Sequence, residues 1–323
     1  MDSDHLITSI HSWDDLDLDE LAEFSFVAKQ SRPETYDTEC TIERERRIIN
    51  WRRQFSPSFV VITRKRNKIL GWLSFDLESA FILVIGRWLP VILQNKWEDQ
   101  VVTSLLEKLK SHCTQINYPR IEVSFGIRDK GEKQAYKLYK KWYEANNMYF
   151  KDEISYMGRP LIENDITEIK LPESIEAKSI VEKSDAELYK CYYDAFIQSQ
   201  DRMFQDQTEI ERQEYFYDYY SKSKPFIEEA SIVLQKHNEI IGLTLVRPRG
   251  DDAHLALLAI CPNFQGKKFG GLLLRLIMKI VSQQGFKTMS LGVDTINPAM
   301  KIYQKFGFKA ESHNINHCWK LKS

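Results

Sequence analysis

Apolar positions along this chain recur in two spacings, every second residue and every third or fourth, and the two alternate. Residues 6–11 read as a short strand, and an acidic amphipathic helix capped by Asp14 or Asp15 follows it to about Phe26. A charged helix containing Glu43-Arg44-Glu45-Arg46-Arg47 leads to Trp51, with Pro57 as its stop. Two strands, Phe59 to Thr63 and Ile69 to Phe75, meet at Arg66-Asn67-Lys68, and Phe81 to Ile85 is a further apolar run. Val101 to Cys113 has helical spacing, Ile121 to Ile127 alternates, and Lys133 to Ala145 returns to helix. The order then recurs. Strand Ile175 to Val181 precedes helices Asp185 to Gln200 and Glu209 to Tyr220. Strands Ser231 to Gln235, Ile240 to Val246 and His254 to Ile260 come next. Helix Gly271 to Gln283, strand Thr288 to Val293, helix Pro298 to Phe306 and strand Ala310 to Leu321 complete the chain.

The recurrence extends to residues. Asn67-Lys68-Ile69-Leu70-Gly71 parallels Asn238-Glu239-Ile240-Ile241-Gly242. Ala135-Tyr136-Lys137-Leu138-Tyr139-Lys140-Lys141-Trp142 parallels Ala299-Met300-Lys301-Ile302-Tyr303-Gln304-Lys305-Phe306, each match at the same place in the order of elements. The expectation is two related mixed α/β domains, each a mainly antiparallel sheet flanked by helices. Their boundaries are placed at 1–160 and 175–323, joined by a proline-containing linker over 161–174.

Composition narrows the function classes. A net charge of −1 over 323 residues gives no reason to expect nucleic acid. No apolar run reaches the roughly 18–20 residues of a membrane span. The start Met1-Asp2-Ser3-Asp4 is acidic where a secretory leader is basic, so a cytoplasmic protein is the expectation. The five cysteines are scattered without a C-x-x-C pair. His313, His317 and Cys318 read as polar positions of an edge strand rather than as metal ligands, and no metal is expected.

The stretch from His254 to Gly271 carries the candidate chemistry. An apolar strand breaks at Pro262, passes through Gln265-Gly266-Lys267-Lys268-Phe269-Gly270-Gly271 and enters an apolar helix. A strand feeding a helix through a basic, glycine-containing loop aims backbone N–H groups and a helix N-terminus at one spot, which suits a phosphate.

Residues 175–321 resemble the GNAT N-acetyltransferase superfamily. In that family a Q/R-x-x-G-x-G/A loop wraps the pyrophosphate of acetyl-coenzyme A. Gln265 and Gly270 stand where the pattern wants them, while Lys268 replaces its first glycine. The resemblance implies acetyl-coenzyme A as co-substrate, with Leu258, Ala259 and Ile260 offering strand amides to the pantetheine arm. It implies Gln265, Gly266, Lys267, Lys268, Phe269, Gly270 and Gly271 as the phosphate cradle. Asn297 and Tyr303-Gln304-Lys305-Phe306-Gly307-Phe308 look like the second signature, N…A…Y-x-x-x-G-F, with Asn297 on pantetheine and Tyr303 beside the sulfur.

An amine attacking a thioester must lose a proton, and the leaving thiolate must gain one. Tyr303 is the candidate acid. His254 stands where some members carry a glutamate, and a histidine of near-neutral pKa there is the candidate base. The implied activity is acetyl transfer to an amine, small molecule or peptide, by direct attack in a ternary complex. A non-catalytic module that senses acyl-coenzyme A is the alternative. Arg202-Met203-Phe204 and Tyr215 to Tyr220 suggest an aromatic acceptor wall or a domain interface. The first half has no glycine loop between Gly86 and Trp97. It is therefore read as a degenerate copy without coenzyme A binding, in which Tyr139 is structural.

Overall fold

The computed structural model describes residues 5–321 except 33–39, 55–57, 79–80, 86–88, 129, 163–168 and 221. Pro57, the start of the segment after Ile85 and residues 163–168 of the expected linker lie outside the described residues. The chain divides into two compact units, one of residues 1–152 with 314–323 and one of residues 153–313.

In the first unit, β1 (Ile7–His11) precedes α1 (Leu18–Gln30) and α2 (Ile42–Arg53). The cap of α1 is Asp17, which accepts from the Asp19 and Glu20 amides, and not Asp14 or Asp15. Those two belong instead to a 3₁₀ turn at Trp13–Asp15. There follow β2 (Ser58–Lys65), β3 (Lys68–Leu77), β4 (Ile82–Ile85), β5 (Val91–Ile92), α3 (Glu98–Gln115), β6 (Arg120–Ile127) and α4 (Lys130–Ala145). Strands β1 to β4 pair antiparallel in sequence order, and β4 pairs parallel with β6 over its whole length, Ile82↔Ile121 to Ile85↔Ser124. The α3 crossover is what a parallel pair requires.

β7 (Tyr149–Pro160) was not among the expected elements, and its last eight residues belong to the second unit. Ile154 to Pro160 pair antiparallel with β12 (Thr288–Asp294), from Asp294↔Ile154 to Thr288↔Pro160. Between these two strands the chain runs β8 (Ile175–Ser179), α5 (Asp185–Phe196), α6 (Arg202–Gln205), α7 (Glu209–Tyr219), β9 (Ile232–Lys236), β10 (Glu239–Arg249), β11 (Asp252–Ile260) and α8 (Phe269–Gln283). After β12 come α9 (Ala299–Lys305) and β13 (Lys309–Lys320).

The boundaries found by contact therefore differ from those placed at 160 and 175. Residues 153–160 join the second unit through β12. The final residues join the first: His317 meets the Tyr136 hydroxyl at 2.9 Å, and the Leu321 amide donates to Pro119 O at 2.9 Å.

Two apolar layers sandwich the second unit's sheet. One gathers Leu273, Ile277 and Val281 of α8 against Ala253, Leu255, Met289 and Leu291. The other gathers Leu188 and Tyr192 of α5, Phe204 and Phe216 against Leu243, Leu245, Leu257 and Ala259. On β11, residues 253 and 255 thus face one layer while 257 and 259, of the same parity, face the other. A bulge explains it: Leu245 opposes Leu257 but Val246 opposes Leu255, leaving Ala256 as the extra residue. One inserted residue flips every later side chain to the opposite face and bends the strand.

Helix ends in this unit are set locally. Ser184 and Thr208 form capping boxes with Glu187 and Glu211. The Asn67 and Asn238 hairpins turn alike. Arg66 and Asn67 have φ of 49° and 61°, His237 and Asn238 of 47° and 69°, the left-handed pair of a type I′ turn. Gly71 and Gly242, matched in the repeat, both lie where a Cβ would collide with a neighbour at 2.6 Å.

Candidate active site

The bend at Ala256 opens the site. β11 pairs in parallel with β12 only from Asp252↔Thr288 to Leu255↔Leu291, whereas its pairing with β10 continues to Ile260. Beyond Leu255 the two parallel strands separate. A cavity of about 820 Å³ occupies the space, walled by Leu255–Ile260 on one side and Leu291–Asp294 on the other. Leu258, Ala259 and Ile260 thus line the gap with the strand edge that has no ladder partner among the described residues.

At the Ile260 end the chain makes a 3₁₀ turn at Pro262–Phe264 and enters α8. The Gln265 side chain ties this loop down, its Nε2 donating to Ile260 O at 2.9 Å and Ala195 O at 3.3 Å. Gly266 has φ 74°, and Lys268, the N-cap of α8, has φ 68° and ψ 8°. Lys268 therefore holds the left-handed backbone that glycine adopts freely, at a cost of about 1–2 kcal/mol for a residue with a Cβ. It makes no side-chain cap, and the first intrahelical bond into its carbonyl comes from Leu272 N at 3.1 Å. The amides of Phe269, Gly270 and Gly271 are the unpaired donors of a helix start. Gln265, Gly266, Lys268, Phe269, Gly270 and Gly271 all line the cavity. Lys267 does not, and its ammonium lies 5.6 Å from the Phe264 ring instead. A Cβ on Gly266 would meet nothing within 4 Å, so the loop's outer face is open to a ligand. Donor amides, a helix dipole and Lys268 together fit a pyrophosphate.

Tyr303 lines the same cavity from α9 and is 8 % exposed. The Y-x-x-x-G-F spacing has a physical cause. Gly307 (φ 84°) ends α9 in a Schellman turn, with Phe308 N to Tyr303 O at 3.1 Å and Gly307 N to Gln304 O at 3.0 Å. Phe308 then packs edge-on against the Tyr303 ring, centroids 6.0 Å apart. Burial, with the Asp201 charge adding to it, pushes the Tyr303 phenol up to about 12, so it stays protonated. Among the described residues nothing hydrogen-bonds its hydroxyl. Asn297 also lines the cavity. Its Oδ1 accepts from the Ala299 amide at 2.9 Å, starting α9, and its side chain hydrogen-bonds Asp201.

His254 lines the cavity and is 4 % exposed. Its Nδ1 lies 3.0 Å from Ser290 Oγ, which in turn donates to Asp252 Oδ2. Burial first, then the neighbouring Arg249 charge, push His254 down to about 4. The near-neutral pKa expected of it is thus corrected: the ring is neutral at physiological pH and a weak proton acceptor.

Two carboxylates in the cavity were not singled out from sequence. Asp294, at the end of β12 and 1 % exposed, is held by Arg202 through Nε at 2.9 Å and Nη2 at 2.6 Å. Asp201 caps the short α6, accepting from Phe204 N at 3.0 Å, and burial raises its pKa. The tyrosines of α7 divide as the crowding of aromatics required: Tyr215, Tyr219 and Tyr220 line the cavity, Phe216 is core and Tyr217 is 38 % exposed. Cys261, at the loop, lies with its sulfur 3.0 Å from that of buried Cys191.

No group of three or more metal-type ligands gathers among the described residues, and no described helix is long and apolar enough to cross a membrane. Over the whole chain, the structure resembles a GCN5-related N-acetyltransferase from Sphaerobacter thermophilus. The TM-score is 0.60 at 13% identity, covering 98% of this chain and 96% of that one, a likeness of fold. In sequence the chain is 36% identical over 78 residues to the [ribosomal protein bS18]-alanine N-acetyltransferase of Haemophilus influenzae, covering 24% of this chain and 53% of that protein. It is 26% identical over 168 residues to the mycothiol acetyltransferase of Streptomyces avermitilis, covering 50% of this chain and 52% of that protein. The match thus spans about half the length of either relative. Residues 193–308, which hold the separating strands, the loop and Tyr303, match the acetyltransferase (GNAT) family.

Proposed function

We propose that the second unit transfers an acetyl group from acetyl-coenzyme A to an amine by direct attack in a ternary complex. The observation that carries this reading is the continuity of one cavity. It is lined at once by residues of the α8 N-terminus, by Leu258, Ala259 and Ile260 of β11, by Tyr303, and by Tyr215, Tyr219 and Tyr220. A module that only sensed the coenzyme has no need of the last part.

In this reading the Phe269, Gly270 and Gly271 amides with Lys268 bind the pyrophosphate, and Gln265 keeps the loop in shape. Edge amides of Leu258, Ala259 and Ile260 hold the pantetheine arm and polarise the thioester carbonyl. As the N–C bond forms and the C–S bond breaks, the Tyr303 hydroxyl gives its proton to the departing sulfur, and the proton the amine sheds passes through water to restore the phenol. A phenol held at about 12 is a weak acid, but it is matched to a thiolate that needs a proton only late in the step. His254, pushed down to about 4, orients water or amine by accepting a hydrogen bond. The first unit, in which α3 starts on Glu98 and Asp99, is read as a copy that does not bind the coenzyme.

Calorimetric titration with acetyl-coenzyme A, followed by free-thiol release across an amine panel, tests the proposal. The expected result is binding with turnover. Binding without turnover would favour the sensor, and no binding at millimolar ligand would remove both.

A further inference from the structure

The far end of the cavity has a composition that selects its occupant. Tyr215 and Tyr219 stack at 5.2 Å with their planes 7° apart. Tyr220 stands edge-on to both, at 5.7 and 5.0 Å, and Tyr192 lies 5.4 Å from Tyr220. Asp201 lines the same cavity as Tyr192, Tyr215, Tyr220 and Tyr303, near enough for its charge to raise the pKa of all four phenols. Phenol faces around a carboxylate form a site for a cation.

The charges lining the cavity can be counted. The acidic ones are Asp201 and Asp294, the basic ones Arg249 and Lys268. Asp294 is committed to Arg202. Lys268 sits at the phosphate end. That leaves one carboxylate for an ammonium, with exposed Arg249 disfavouring a second cation.

Building on the acetyl-transfer reading, we infer that the acceptor is a monoamine, docked as its ammonium against Asp201 among Tyr192, Tyr215 and Tyr220, with an apolar or anionic remainder and not a polyamine chain. Asp201 first takes one proton from the ammonium, which frees the lone pair for attack; the second proton, shed as the N–C bond forms, passes through water to the phenolate left when Tyr303 protonates the sulfur. The ordinary role of Asp201, capping α6, does not account for its place in the cavity beside four phenols.

Asp201→Asn separates the two roles, because asparagine caps a helix as well as aspartate does. Calorimetry of the full chain, without coenzyme, would titrate phenylalaninamide, 2-phenylethylamine and 2-phenylethanol into wild type and D201N. Expected is binding of at least one amine by wild type, no binding of the alcohol, and a loss of about 30-fold or more in D201N at an unchanged melting temperature, the scale of a removed buried charge partner. In thiol-release assays spermidine should trail the best monoamine at least tenfold in kcat/KM. Amine affinity within threefold in D201N, no monoamine binding by wild type, or spermidine as the best acceptor would each overturn the inference. Acetyl-coenzyme A titrated separately keeps the two questions apart. Its binding beside an inert Asp201 leaves the acetyl-transfer reading standing, while amine binding without it removes that reading and keeps the ammonium site.

Discussion

The two units start their crossover helices on opposite charges. α3 begins Glu98-Asp99 behind Trp97, with Glu98 held by Arg32 and Asp99 accepting from Trp142 Nε1 at 2.9 Å. α8 begins Phe269-Gly270-Gly271 behind two lysines, with no acid in its first turn. The same helix dipole is neutralised from within in the first unit and left to a ligand in the second. The strands differ in the same sense. The four described residues of β4 all pair in parallel with β6, while β11 leaves β12 after Leu255. Tyr139 and Tyr303, matched in sequence, complete the contrast. The Tyr139 hydroxyl donates to Pro90 O at 3.1 Å, next to the β5 residues that pair with Gly71 and Trp72, whereas Tyr303 faces a cavity. In the first unit this tyrosine is tied to its own chain, and in the second it lines a cavity.

Giving α8 the acidic start of α3 should have the largest effect. In Gly270→Asp the new Cβ meets only Ile260 and Leu258 carbons at 3.8 Å, so the fold accommodates it. A first-turn aspartate even favours the helix. Against a pyrophosphate, a carboxylate a few ångströms away costs about 1–4 kcal/mol, so acetyl-coenzyme A should bind about 10²-fold more weakly by calorimetry with no loss in melting temperature. Affinity within threefold of wild type would mean that the helix start is not where the phosphates lie.

Tyrosine-to-phenylalanine changes should then split by unit. Tyr303→Phe is expected to lower kcat about 10- to 100-fold with acetyl-coenzyme A affinity and melting temperature unchanged. Tyr139→Phe leaves a buried carbonyl without its donor, which costs about 1–3 kcal/mol in urea unfolding, and turnover stays as in wild type. Equal effects on activity from both would erase the distinction between a tied tyrosine and one that lines a cavity.

Much of this contrast was legible in the chain and some was not. Gln265, Gly270 and Tyr303 were readable because their spacing reflects local backbone geometry: a loop, a helix start, a Schellman turn around Gly307. The turn at Asn67 was readable for the same reason, though its I′ type was not. The bulge at Ala256 was not, because nothing in Leu255-Ala256-Leu257-Leu258 distinguishes a bulged apolar strand from a regular one. Yet that residue flips the faces of β11 and precedes its departure from β12. The strand Tyr149–Pro160 was missed because its alternation is blurred by charge at Lys151, Asp152 and Glu153. Asp201 was passed over because in sequence it is only a helix cap, and its position in the cavity depends on the fold of β12 and α9 around it. His254 lines the cavity, and the lowering of its pKa was not legible, since burial is a tertiary property.

That burial predicts a pH dependence of stability. His254 titrates near 4 when folded, below the 6.5 ordinary for histidine. The unfolded chain therefore binds more protons between those values. The contribution is fully present above 6.5 and is lost as pH falls toward 4. Between pH 7 and pH 5.5 wild type should lose about 1 kcal/mol through this residue, which urea midpoints measure, and His254→Gln should not show that loss. Turnover should have no inflection from His254 between pH 6 and 9. A limb near 6.5 in wild type that vanishes in the variant would restore it as the base.

Lys268→Gly has the smallest effect and tests the cradle most finely. Lys268 already holds the left-handed backbone that glycine prefers, so the substitution leaves the loop's path unchanged and alters two things only. It relieves the strain of a Cβ in that conformation, partly offset by the greater freedom of glycine in the unfolded chain, for a net gain of roughly 0.5 kcal/mol. It also removes one exposed cation, worth about 0.2–1 kcal/mol to a nearby anion in dilute salt. The melting temperature should rise by about 1–2 °C, while acetyl-coenzyme A affinity falls about two- to threefold at low ionic strength. The affinity difference should close by about 0.5 M salt, where screening acts within a few ångströms. A difference that persisted at high salt would mean that the lysine acts on the coenzyme by shape and not by charge, the reverse of what its exposed, uncapped position at the head of α8 implies.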